Sequence, residues 1–184
     1  MKTTKNLAVA FALFVSVISF AQKKSMTIGN AKMDATKNII QNLEASKEFS
    51  SIGKVFVAGD LKELLSDQNE EFTILAPTNT AFTNSSKENL AKLLLPVNKT
   101  IAKQVGAHHI IRGKWNDSDF VKLVRAKGIP EIKTASGEKL IISYEKEALY
   151  FTDKNGNKAK LILSNQNQSN GIIHGIDNVF SPTK

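Results

Sequence analysis

The apolar positions of this chain keep two different periods, one in each half. From Lys37 onward, Ile39, Ile40, Leu43, Phe49, Ile52, Val55 and Phe56 recur at three- and four-residue spacing, which predicts helices with one face on a core. Gly59 interrupts this pattern, and Asp60 is placed to cap a short helix carrying Leu61, Leu64 and Leu65. Ser85 or Ser86 precedes a helical stretch, residues 87–95, with Leu90, Leu93 and Leu94 on one side and Pro96 at its end, while Asn98 is placed to cap residues 99–105. Residues 108–111 are β-prone and close at Gly113. Asp117 or Ser118 can then cap a helix bearing Phe120, Val121, Leu123 and Val124 up to Gly128. Beyond that point the period is two. Short strands are predicted at 132–134, 140–144, 149–152, 161–164 and 172–180, punctuated by Ser136-Gly137, Asn155-Gly156 and Asn170-Gly171 turns. Helices mostly first and strands mostly second make an α+β fold, with N-terminal helices packed on a sandwich or wedge of short C-terminal strands.

Residues 72–82, Phe-Thr-Ile-Leu-Ala-Pro-Thr-Asn-Thr-Ala-Phe, break the helical half. Phe72, Ile74 and Ala76 alternate with Thr73 and Leu75, the signature of a buried strand, and Pro77 removes a backbone donor and forces an exit. Thr78 or Asn79 can accept from the free amides of the following turn, which carries Ala81 and Phe82.

The first residues change the picture of the compartment. Lys2 and Lys5 precede a 14-residue apolar run from Leu7 to Phe20, too short to span a bilayer, and Ser19 and Ala21 supply the small residues of a cleavage site. Residues 1–21 therefore read as a signal peptide cut after Ala21, residues 22–36 as a flexible polar leader, and residues 37–184 as one domain. The chain contains no cysteine, which excludes disulfides, a thiol nucleophile, a cysteine-held zinc and a lipidated cysteine. The formal charge is +8, and removal of Lys2 and Lys5 leaves the chain basic. The lysines are spread and alternate with acids, as in Glu145-Lys146-Glu147, and an exported chain does not meet nucleic acid, so no nucleic-acid partner is expected.

Three motifs occur in order. The first is the string at 72–82, the second is His108-His109-Ile110-Ile111-Arg112-Gly113, and the third runs from Ser169-Asn170-Gly171 through Ile172, Ile173, His174, Gly175, Ile176 and Asp177 to Phe180. Together they resemble the signature motifs of the fasciclin domain family of extracellular adhesion modules, over residues 37–182. His108 stands where that family usually has tyrosine, and His109 matches its histidine. The resemblance implies a secreted or cell-surface adhesion module, without catalysis or cofactor, that binds a glycan, matrix or cell-surface partner. Integrin contact in animal members is attributed to the tyrosine-histidine region and to an acidic-isoleucine dipeptide, and residues 161–169 contain no acid.

Candidate contact residues are His108, His109, Arg112 and Trp115, beside Lys114. Trp115 reads either as a partly exposed anchor or as a cover of the core. Phe72, Pro77, Thr78, Asn79, Phe82, Asn170, Gly171, His174 and Asp177 read as structural. Asn79 is expected to cap a helix, and Asn170-Gly171 to tolerate positive φ. His174 and Asp177 form either a proton-handling pair or two separately satisfied polar groups. Adjacent histidines on a strand point to opposite faces, so no metal site is expected. Neither a Gly-x-Ser-x-Gly elbow nor a phosphate-binding glycine loop occurs. The alternative to adhesion is a carrier holding a small apolar ligand or lipid between helices and sheet.

Overall fold

A computed structural model of the chain describes residues 33–85 and 89–181; the signal stretch and most of the expected leader lie outside the described residues. In order come α1 (Ile39–Ala45), α2 (Ser50–Ala58), β1 (Phe72–Pro77), α3 (Asn79–Asn84), α4 (Leu90–Leu93), α5 (Lys99–His108), β2 (Ile110–Arg112) and α6 (Asp117–Lys127). The strands β3 (Glu131–Lys133), β4 (Lys139–Glu145), β5 (Ala148–Thr152), β6 (Lys158–Gln168) and β7 (Gly171–Ile176) complete the fold. Helices thus occupy the first half and strands the second, with β1 and β2 set into the helical half.

All seven strands form one sheet in the order β2-β1-β7-β6-β5-β4-β3. β1 runs parallel to β7, from Phe72 opposite Gly171 to Pro77 opposite Ile176. A side chain at 171 would place its Cβ 2.0 Å from the Phe72 carbonyl oxygen, so only glycine allows this approach. β6 links the two halves of the sheet. Its first residues, Lys158 to Lys160, pair with β5; Leu161, Leu163 and Gln166 to Gln168 pair with β7, with register irregularities between Leu161 and Gln166.

Alternation along β1 sorts the core into two parts. Phe72, Ile74 and Ala76 join Ile52, Val55, Phe56 and Val105 beneath the helices. Leu75, with Ile111 and Ile176, faces Phe120, Ile142 and Phe151 in a second core under α6. Burial on both faces explains why β1 is almost wholly apolar.

Several boundaries depart from expectation for local reasons. Met33 packs on the first core and Asn42 Nδ2 donates to the Asp34 carbonyl at 2.8 Å, so the chain is tied to the domain before residue 37. Asp60 takes φ +62 and pairs with Lys99 at 3.0 Å instead of capping. α4 has four residues and is capped by Asn89, whose Oδ1 accepts from Lys92 N at 3.3 Å; Ser86 lies outside the described residues. Asn98 donates its side chain to the Lys92 carbonyl at 2.8 Å and does not cap α5 with it. Asn116, not Asp117 or Ser118, caps α6, because Asp119 accepts in return from Asn116 N at 3.0 Å. β7 stops at Ile176, although Val179 and Phe180 beyond it are buried.

Candidate functional site

Residues 113–116, between Arg112 at the end of β2 and Asp117 at the start of α6, form a loop fixed from three sides. Thr73, the polar member of β1, is buried; its Oγ1 donates to the Gly113 carbonyl at 2.7 Å and accepts from Trp115 N at 2.9 Å. Gly113, at φ +82, donates its own amide to the Glu71 carbonyl at 2.8 Å. From β7, His174 reaches the Trp115 carbonyl with Nε2 at 2.8 Å, while its Nδ1 accepts from Asn165 N at 3.3 Å. That pair of bonds makes His174 the neutral Nε2–H tautomer. Burial lowers its pKa, outweighing the Trp115 carbonyl and the Asp117 charge, which both act to raise it.

The third support comes from β6. Asn165 takes φ +59 at the irregularity in that strand, and its Oδ1 accepts from Asp117 N at 3.0 Å while its Nδ2 donates to Asp117 Oδ1 at 2.8 Å. Burial acts to raise the Asp117 pKa, but hydrogen bonds from Asn165, Ser164 and the Ser118 amide, together with His174, hold it below the ordinary carboxylate value.

What the loop shows to solvent is basic and aromatic. Arg112 and Lys114 are exposed, and Arg112 pairs with Glu70. Trp115 is half-buried: its ring stacks on Phe120 with centroids 5.8 Å apart at 14°, and Nε1 donates to the Arg112 carbonyl at 3.2 Å. It packs on the second core and is partly exposed. Sequence reasoning missed Thr73, Asn165 and Asp117 as the supports. Thr73 alone carried a signal, a hydroxyl in a strand buried on both faces.

The two adjacent histidines require a correction. α5 continues through His108, and His109 is its C-cap, so neither sits on a strand. They are 1% and 0% exposed, which removes both from any surface contact. His109 Nδ1 donates to the Val105 carbonyl at 2.8 Å and Nε2 accepts from Phe180 N at 3.1 Å, with its ring stacked on Phe180. Burial drives its pKa down to about 3, so it stays neutral. His108 has no hydrogen-bond partner at either ring nitrogen among the described residues. Its pKa is lowered by burial, against the opposing charges of Glu138 and Asp153.

The remaining motif residues are structural and lie apart. Thr78 Oγ1 caps α3 by accepting from Ala81 N at 3.0 Å. Asn79 caps α2 instead of the helix it begins, its Oδ1 accepting from Ser51 N at 2.9 Å. Phe82 is buried. Asn170 does not take positive φ; its Oδ1 accepts from Ile39 N at 3.0 Å and its Nδ2 donates to the carbonyls of Leu65 and Asp67 at 2.8 and 3.0 Å. Asp177 accepts from Lys160 N at 2.7 Å, so it serves β6 and not His174.

Asp117, Ser164 and His174 are the residue types of a hydrolytic triad and stand near one another. Both nitrogens of His174 are held by backbone groups, so it is not a free base for a serine. Among the described residues no three His, Asp or Glu groups are clustered as a metal site would need. A surface cleft of about 440 Å³ lies along α2, lined by Gly53, Val57, Ala58 and Leu94 with Ser50, Lys54 and Glu44.

Helices in the first half, a sheet folded about one long strand and a parallel β1–β7 pair clamped by Gly171 define an α+β wedge module. The chain belongs to the fasciclin domain family: residues 47–182 match the Fasciclin domain. Protein sll1483 of Synechocystis is 32% identical over 180 residues, covering 94% of this chain and 91% of that protein. Human periostin is 27% identical over 149 residues, 80% of this chain but only 16% of periostin. The FAS1 domain pair of the insect cell adhesion molecule Fasciclin I superposes with a TM-score of 0.70 at 18% identity, over 79% of this chain and 51% of that one.

Proposed function

We propose that this chain is an exported, non-catalytic interaction module that binds a glycan, matrix or cell-surface partner through the loop at 112–115. The observation that carries the reading is the fixing of that loop by Thr73, His174 and Asn165 behind an outward Arg112, Lys114 and Trp115 edge. A surface already held in one conformation loses little entropy on binding. The description of Fasciclin I as a cell adhesion molecule supports the class of activity. Residues 1–21 act as the signal peptide, removed after Ala21, and a short polar leader connects the cleavage site to the domain. Among the described residues no helix is long and apolar enough to cross a membrane.

A glycan and matrix array probed with wild type and with Arg112→Ala/Lys114→Ala tests this. Binding that the double substitution abolishes supports the loop; unchanged binding moves the contact elsewhere. The cleft along α2 favours a second reading, carriage of a small apolar ligand, since its volume is that of a ligand pocket. Native mass spectrometry of protein purified from its host removes this reading if no ligand travels with the chain.

A further inference from the structure

We propose that the tip formed by residues 94–97 and its surroundings is a second interaction surface, which docks on an anionic lipid bilayer. Apolar side chains are gathered and uncovered there. Val97 is 85% exposed and Leu95 49%, with Val57 and Ile101 at 46% and 45%, so four of the seven large apolar residues exposed among the described residues belong to this one region. The elements that carry them are packed together. Val57 and Leu94 line the same cleft, α2 packs on α4 and α5, and the 3-10 turn Pro96–Asn98 runs directly into α5. A patch of this kind on a folded domain marks an interaction site.

The charge around the patch selects the partner. Between Asn89 and Asn116 there is no Asp or Glu, while Lys92, Lys99, Lys103, Arg112 and Lys114 all fall in that stretch. Lys92 precedes the tip, Lys99 and Lys103 come after it, and Lys54 adjoins the cleft from α2. Two described acids of this region are paired: Asp60 with Lys99 at 3.0 Å and Glu44 with Lys62 at 3.1 Å. Lys54, Lys92 and Lys103 have no carboxylate partner within 4.0 Å among the described residues. An apolar tip flanked in the chain by Lys92, Lys99 and Lys103 matches the layering of an anionic membrane surface, with acyl chains below the phosphate plane. An acidic peptide would find the lysines but no use for Val97, and a second copy of this chain would bring lysine against lysine. Pro96 fixes φ at the tip, so the loop enters the interface without first becoming ordered.

The test is sedimentation with vesicles, using chain recovered from a secreting host with its N-terminus defined by mass spectrometry. Wild type is expected to sediment with phosphatidylglycerol-containing vesicles, far less with pure phosphatidylcholine, and less as salt is raised. Leu95→Ser/Val97→Ser is expected to weaken vesicle binding at least about tenfold, and Lys92→Glu/Lys103→Glu by at least about tenfold as well. Should the first pair unfold, Val97→Ser alone, at the most exposed position, gives the same direction. The proposal fails if wild type binds both vesicles equally or neither, or if the tip variants bind as wild type. It also fails if Arg112→Ala/Lys114→Ala weakens vesicle binding as much as the tip variants do, since the contact would then be the other loop. A wild-type dimer that Leu95→Ser/Val97→Ser dissolves while vesicle binding is unchanged assigns the patch to a second copy and overturns the lipid reading.

Discussion

The Oδ1 of Asn79 accepts a hydrogen bond from the backbone amide of Ser51 at 2.9 Å, capping a helix that lies 28 residues earlier in the chain. Phe49, the residue in the N-cap position of α2, has no side-chain acceptor, so the open amides of that helix are served from the first turn of α3. The Asn79 amide group completes the contact by donating to the Lys47 carbonyl at 2.8 Å and to Ser50 Oγ at 3.2 Å. One side chain therefore fixes the turn after β1 to the start of α2.

Asn79→Ala is expected to destabilise the fold by about 1–2 kcal/mol, the cost of losing a helix cap and leaving its donors open. Urea denaturation at neutral pH measures it. Asn79→Asp keeps the acceptor toward Ser51 and is expected to lose less. A loss below a few tenths of a kcal/mol in the alanine variant would mean that water replaces this cap without cost.

The helical and strand halves were legible because periodicity is a local property, and Ile39, Leu43, Ile52 and Phe56 do face the core they were expected to face. What was not legible depends on partners far along the chain. The cap by Asn79, the three bonds of Asn170 and the support of Asp117 by Asn165 join residues 28 to 131 positions apart, and no spacing rule encodes them. The second half of β6 was invisible for another reason. Asn165, Gln166, Asn167 and Gln168 are polar and lack alternation, and only pairing with β7 makes the last of them a strand. At His108 the β-prone Ile110 and Ile111 suggested a strand that begins two residues too early, because α5 runs through His108 and His109 caps it, with its backbone amide on the Gly106 carbonyl at 2.9 Å and its ring Nδ1 on the Val105 carbonyl at 2.8 Å.

Asn170 and Gly171 lead into β7, on the side of β1 away from β2. Asn170→Ala would strip buried bonds from Ile39, Leu65 and Asp67, and is expected to cost about 2–4 kcal/mol. Gly171→Ala places a methyl 2.0 Å from the Phe72 carbonyl, so β1 and β7 must separate. Circular dichroism is expected to show the alanine variant at 170 folded but less stable, and the variant at 171 unfolded or misassembled at room temperature. A folded Gly171→Ala of unchanged stability would contradict the register between Phe72 and Gly171.

The chain has three histidines, all buried and all with pKa values lowered by burial. In the unfolded chain each takes up a proton near pH 6.5, whereas in the fold His109 does so only near pH 3. The unfolded state therefore binds more protons below pH 6.5, and stability, full above that value, falls with pH through the window between the two. For His109 alone the loss from pH 7 to pH 5 is about 2 kcal/mol, with His108 and His174 adding in the same direction. Urea titrations at the two pH values check this, and His109→Gln is expected to flatten the difference. A wild-type profile level between pH 7 and pH 5 would show that the histidines charge in the fold without penalty.

His108 and His109 share a segment but differ in what they give the fold. His109 is bonded at both nitrogens, whereas His108 has neither bonded among the described residues and carries the desolvation cost of two polar atoms. His108→Leu is accordingly expected to be neutral or stabilising by about 1 kcal/mol at pH 7, and more so at pH 5, where wild type also resists protonation there. His109→Leu is expected to destabilise by about 2–3 kcal/mol, because the Val105 carbonyl and the Phe180 amide lose their partners inside the core. The ordering of the two midpoints in parallel thermal melts decides the matter. If His108→Leu melts well below wild type, an unseen partner holds that ring, and the tyrosine usual at this position in related domains would be expected to satisfy the same partner.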